Sequence, residues 1–206
     1  MPSTWKSFVT LLAAATSAFA DCSSLGSGAS DSFPGSFKFV AFDPAAGTNQ
    51  SLTLANSLTA PGTSFYILSA NGGSSNGFSS LTLSGGSISS TSSTSPYLAP
   101  IHSLGAVTVN PSYPVAASGP WLTWSNTYSP PSGIFCAVPN VTPGGPEILA
   151  AYGHIDLFFL CTSYLTTGGQ GYNALLYNAS TTFQPDSTPA YYGSTCKGVT
   201  VYFVPV

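Results

Sequence analysis

Charge is almost missing from this chain. Of its 206 residues, 4% are charged, against about 25% in an ordinary soluble domain. Arginine is absent, and Lys6, Lys38 and Lys197 are the only lysines. Binding to nucleic acid draws on counterion release by several basic groups, so that partner is excluded. Adsorption to anionic membranes is excluded for the same reason. Long apolar runs are lacking too, and a bilayer span takes about 20 apolar residues. The tail "GVTVYFVPV" is short and interrupted by Pro205, so no membrane insertion is expected. CxxC and His-rich spacings are absent, which leaves no metal framework and no cofactor implied. Helical periodicity is missing as well, because 21 glycines and 17 prolines are scattered throughout.

What is present at the N-terminus reads as an export leader. Lys6 supplies a positive start, "FVTLLAAA" an apolar segment, and Ala18-Phe19-Ala20 a small-x-small cleavage pattern. The expected division is a signal peptide over 1–20 and a single secreted all-β domain over 21–206. Such a domain is long enough to bury a real core. Its surface would consist of Ser, Thr, Asn, Gln and Gly, which hydrogen-bond to neutral partners. Neutral polysaccharide and other wall components are the partners this predicts, in an extracellular or cell-wall location.

Cys22, Cys136, Cys161 and Cys196 all survive cleavage. An even count in an exported chain argues for two disulfides, with three pairings open. The favoured pairing is Cys161–Cys196, since each sits at the edge of an expected strand, leaving Cys22–Cys136.

Short runs rich in Val, Ile, Thr, Tyr and Phe recur along the chain. Strands are expected at 37–43, 50–56, 64–70, 79–85, 105–110 and 121–126. Further strands are expected at 134–139, 147–152, 155–161, 173–178 and 198–204. "SLTLSG" alternates cleanly, whereas "IDLFFLC" is apolar on both faces and should be central. Asn71-Gly72 and Gly85-Gly86 mark tight turns. "SISSTSSTS" at 87–95 reads as a flexible surface loop, open to O-glycosylation, and "YSPPSG" as loop. About eleven strands joined by hairpins suit a single compact domain. A trefoil-like barrel is favoured over a two-sheet sandwich, because closure removes exposed edges.

Three tripeptides fit the N-glycosylation pattern: Asn49-Gln50-Ser51, Asn140-Val141-Thr142 and Asn178-Ala179-Ser180. Each falls at an expected strand edge or turn. Catalytic groups are sparse. His154-Ile155-Asp156 puts an imidazole and a carboxylate on one side of an expected strand, which is half of a triad. Gly73-Ser74-Ser75-Asn76-Gly77 matches G-x-S-x-G, but strand-like sequence follows it where a helix is required. Asp156 and Glu147 as a glycosidase pair are less plausible than two rim carboxylates. His102 falls in an expected loop with no second imidazole near it. No catalytic residue is therefore assigned. Aromatics are better candidates. Trp121 and Trp124 point to opposite faces of one strand, one into the core and the other free to stack on a sugar. Tyr191 and Tyr192, in a Gly/Pro-rich loop, are candidates for the same role.

The order of features resembles a known group. A fungal-type leader and an early "FVAFD" strand come first, then "LFFLC" ending in Cys161. An aromatic-rich strand with Asn, Cys196-Lys197-Gly198 and a final strand follow. This resembles the small secreted fungal cell-wall proteins of the PhiA type, chiefly over Ile155 to Val206. The resemblance implies a fungal wall or extracellular setting. Three functional readings result. The first is a non-catalytic wall or extracellular-matrix protein with a neutral, glycosylated surface. The second is a lectin-like carbohydrate-binding module or effector. The third is a hydrolase using His154 and Asp156.

Overall fold

The computed structural model describes residues 21–57, 65–70, 78, 80–90, 101–107, 121–125, 133–164, 171–182 and 190–206. The leader, the Asn71-Gly72 turn, the G-x-S-x-G match, Pro130-Pro131 and residues 91–95 lie outside them.

The described chain is all-β. Its strands are β1 Phe37–Asp43, β2 Thr48–Ser57, β3 Phe65–Ser69, β4 Thr82–Ser84, β5 Ser87–Ser90, β6 Ile101–Val107 and β7 Trp121–Ser125. They continue as β8 Phe135–Val138, β9 Ile148–Ala151, β10 Phe158–Tyr164, β11 Tyr172–Tyr177, β12 Ala190–Tyr191, β13 Lys197–Gly198 and β14 Thr200–Pro205. Two short 3-10 turns, Cys22–Leu25 and Gly193–Thr195, are the only helical pieces among the described residues.

Several segments depart from the sequence expectation. Ser87–Ser90 is not loop but a strand, paired to β4 through the Gly85-Gly86 turn and to β6. Both turn glycines have positive φ, which that tight hairpin requires. A side chain on Gly86 would also strike the Gly133 backbone at 2.9 Å. The strand expected at 105–110 begins at Ile101, so His102 lies on β6, opposite Ser89 and Ser125, rather than in a loop. Tyr191 likewise belongs to a short strand paired with β10. In each case a neighbouring strand supplies backbone partners that local composition does not reveal.

All pairings between these strands are antiparallel. They run in the order β4-β5-β6-β7-β11-β3-β2-β1-β14-β9-β8, with β10 added beside β11. This path is open, not closed into a barrel. β2 is the hinge between its two arms. Thr48 to Leu52 pair with β1, and Thr53 to Ser57 pair with β3.

One apolar core lies between the arms. Phe37, Phe39, Val201, Phe203, Phe135 and Leu149 face it from one arm. Leu68, Leu122, Trp124, Phe158, Leu175 and Tyr177 face it from the other. Phe33, Phe37, Phe39 and Phe203 form a ring cluster with centroids 4.6–5.3 Å apart. Such offset and edge-on pairs add to the burial term.

Both arms are also apolar on parts of their outer faces. Ile67, Trp121, Ala174, Leu176 and Tyr191 form a second cluster, next to the Cys161–Cys196 disulfide. Val138 and Ala150 form a third, roofed by the N-terminal segment through Cys22–Cys136. The expected pairing of the four cysteines is therefore the one found, with no free thiol.

These cystines constrain the unfolded chain unequally, because they close loops of 114 and 35 residues. On the chain-entropy scale they are worth about 5 and about 4 kcal/mol. Replacing Cys22 and Cys136 together by Ala should lower the urea unfolding free energy by about 5 kcal/mol, and the other pair by about 4. Losses below about 1 kcal/mol for both pairs would show that loop closure is not what they contribute.

Candidate functional site

The candidate site follows from a failure of alternation. In β1, Phe37, Phe39 and Ala41 are fully buried in the core, yet Val40 and Phe42 on the opposite face are apolar too. In β14, Val201 and Phe203 point inward, while Tyr202 and Val204 point outward. Val40 is paired directly with Tyr202, so these outward side chains share one surface. They floor a groove of about 400 Å³. Asn49 stands at one rim, and Asn140, Thr142, Gly145 and Pro146 form the other. No charged side chain lines it among the described residues.

The rims are held by short polar contacts. Asp43, buried at the end of β1, accepts hydrogen bonds from the Ala45 and Ala46 amides at 2.9 and 3.1 Å. It also lies 3.7 Å from the Lys197 ammonium. These contacts close the β1–β2 turn and hold Asn49 opposite Phe42. On the other rim, Asn140 Oδ1 accepts from the Thr142 amide at 2.9 Å, and its Nδ2 donates to the Pro146 carbonyl at 3.1 Å. Asn140 is thus committed to shaping its own loop. Chemically, the groove offers aromatic and aliphatic faces with amide and hydroxyl groups at the edge. That suits a neutral ligand with both C–H and O–H surfaces.

The aromatic candidates from the sequence fare differently. Trp121 and Trp124 do point to opposite faces of β7, but both faces are covered and both rings are buried. Trp124 stacks on Phe135 with ring planes 11° apart. Neither tryptophan is presented to a ligand, because the main core covers one face of β7 and the second apolar cluster covers the other. Tyr191 is buried as well, and its hydroxyl accepts from the Ser180 amide at 3.0 Å. Tyr192 alone of the four is exposed.

His154 and Asp156 do meet, with Nδ1 and Oδ1 3.8 Å apart, but on a turn rather than along a strand. Their side chains are 55% and 75% exposed, so the pair sits in open water. An exposed pair of this kind is worth at most about 1 kcal/mol. No hydroxyl nucleophile lies within hydrogen-bond reach of His154 among the described residues. The same turn carries Tyr152 and Gly153, both at positive φ, with two hydrogen bonds of 3.0 Å between Ala151 and His154. Positive φ is strained for a residue as bulky as tyrosine. Its ring packs 5.4 Å from that of Tyr177.

Of the three glycosylation tripeptides, Asn49 and Asn178 are exposed and Asn140 is half-buried. Asn178 leaves the buried strand β11 at φ 52°, and its amide donates to the Leu157 carbonyl at 2.7 Å. The groove residues Phe42 and Tyr202 were missed by composition-led reasoning. The signal was there: "FKFVAFD" and "VTVYFV" are apolar at both parities. No protein-family profile, curated protein or solved structure matches the chain.

Burial, then the nearby Tyr152 and Asp156, push the Tyr177 phenol above the usual tyrosine range. A raised phenol stays neutral in the folded state while the unfolded chain ionises near pH 10. Its contribution is therefore intact below about pH 10 and is lost as pH rises through the folded value. Denaturation curves between pH 8 and 11 should show Tyr177→Phe losing less stability than the parent chain. Parallel loss in both would contradict this.

Proposed function

We propose that this chain is an exported, non-catalytic wall or extracellular-matrix protein that works through a neutral, glycan-bearing surface. The observation that carries the reading is the pair of cystines in a chain with almost no ionic groups. Cystines persist in oxidising, extracellular-type compartments. Among the described residues no helix is long and apolar enough to cross a membrane. The exposed Asn49 and Asn178 supply attachment points for glycans. The resemblance to PhiA-type wall proteins over Ile155 to Val206 supports the same setting. For the architecture we take the two-sheet sandwich over the trefoil-like barrel, since one core lies between two arms.

A second reading, the carbohydrate-binding module, is favoured by one observation, the uncharged aromatic groove over β1 and β14. It rests on Phe42 and Tyr202, not on the buried tryptophans. The hydrolase reading gains no observation, since His154 has nothing to activate among the described residues.

Expression of the full chain in a eukaryotic secretory host tests the main reading. The expected product is found in the medium, begins at Asp21, carries no free thiol and loses mass on enzymatic deglycosylation. Retention inside the cell with Met1 and reduced cysteines would overturn it. For the second reading, insoluble glucan and chitin should retain the chain made without N-glycans and release its Tyr202→Ala variant, with the fold checked by circular dichroism. Equal retention of both would end that reading.

A further inference from the structure

The outer face of the β1–β14 arm is unevenly covered. Over β8 and β9 the apolar surface is roofed by the N-terminal segment, anchored through Cys22. Over β1 and β14 the floor of Val40, Phe42, Tyr202 and Val204 stays only partly covered. Leaving apolar area in water forgoes about 25 cal/mol for each Å². A covering group therefore has something to gain there.

The rim residue Asn49 indicates what that group is. It is exposed, lines the groove and lies directly opposite Phe42 across the β1–β2 pair. Opposed residues on one sheet face hold their Cβ atoms about 4.5–5.5 Å apart. Ser51, which completes the acceptor tripeptide, pairs with Val40 and is on the same face. Asn49 and Ser51 thus both look out beside the groove, while the intervening Gln50 pairs with core-facing Ala41.

We propose that Asn49 carries an N-linked glycan whose first N-acetylglucosamine lies in this groove, its C–H face on Phe42 and Tyr202. The inference rests on the export and glycosylation proposed above. The bond forms between Asn49 Nδ2 and the sugar's C1. The C1–O bond of a lipid-diphosphate-linked oligosaccharide donor breaks, and the amide proton leaves with the diphosphate. A pyranose presents C–H groups on one face and hydroxyls around its edge. The groove matches this with an aromatic floor, Thr142 in its lining and no charged lining among the described residues. Its volume, about 400 Å³, is at the small end of ligand pockets and suits one or two sugar rings. The docked sugar acts as a covalent lid on the sheet and denies the groove to free polysaccharide.

The test uses the secreted full chain. Glycopeptide mass spectrometry should find Asn49 occupied. Trimming the native protein to a single N-acetylglucosamine should leave Tm unchanged, because the docked sugar remains. Asn49→Gln should lower Tm by about 2–4 °C. Ser51→Ala, which removes the acceptor signal but keeps Asn49, should reproduce that shift. Ser180→Ala, which removes the Asn178 acceptor signal and keeps asparagine at its positive φ, should leave Tm unchanged. In the Asn49→Gln background Tyr202→Ala should lower Tm by less than it does in the glycosylated chain, because the two changes remove one shared contact. An unoccupied Asn49 beside an occupied Asn178 would overturn the docking and leave export standing. So would identical Tm values with and without the Asn49 sugar. A chain with no glycan, retained in the cell, would overturn both.

Discussion

The pairing of β1 with β14 is the contact on which the rest of the structure depends. Six consecutive residue pairs, from Phe37 with Pro205 to Phe42 with Thr200, join the first strand to the last. Their inner face delivers Phe37, Phe39, Val201 and Phe203 to the core. Their outer face delivers Val40, Phe42, Tyr202 and Val204 to the groove. One ladder therefore builds both the main hydrophobic centre and the candidate site. A slip of one residue would exchange the two sets, because side chains alternate with a period of two. The aromatic cluster at Phe37, Phe39 and Phe203 favours the observed register.

The scarcity of charge shapes how this ladder is held. An ordinary domain spreads ion pairs over its surface, whereas this one uses backbone ladders, apolar faces and two cystines. The buried carboxylate is an exception with a local task. Asp43 satisfies the amides of the β1–β2 turn and faces Lys197 from β13, so it ties the hairpin to the C-terminal strands. That hairpin in turn sets Asn49 against Phe42. The geometry of the groove rim thus descends from one acid in a chain that has few.

Much of the fold was legible in the sequence. Runs such as Phe37–Asp43 and Trp121–Ser125 combine β-branched and aromatic residues between turn signals, and both form strands where expected. The strand around Leu160 is apolar at both parities and lies between β11 and the short strands β12 and β13. Ser87–Ser90 was not legible as strand, because serine has no strong conformational bias and its pairing partners lie elsewhere in the chain. Trp121 and Trp124 show the limit at the site. Their spacing implied opposite faces correctly, but spacing says nothing about what lies over each face.

The sequence by itself determined the all-β class, the even set of cysteines for two bridges, and the uncharged character of the surface. These follow from local propensity and composition, which act residue by residue. Only the tertiary structure decided that the strands form an open, two-armed sheet rather than a closed barrel. It also decided that Trp121 and Trp124 are sealed inside, and that the partly covered aromatic face belongs to Phe42 and Tyr202. The reason is that burial of a strand face depends on the segment that packs across it. Here those partners come from opposite ends of the chain, beyond the range of any local pattern.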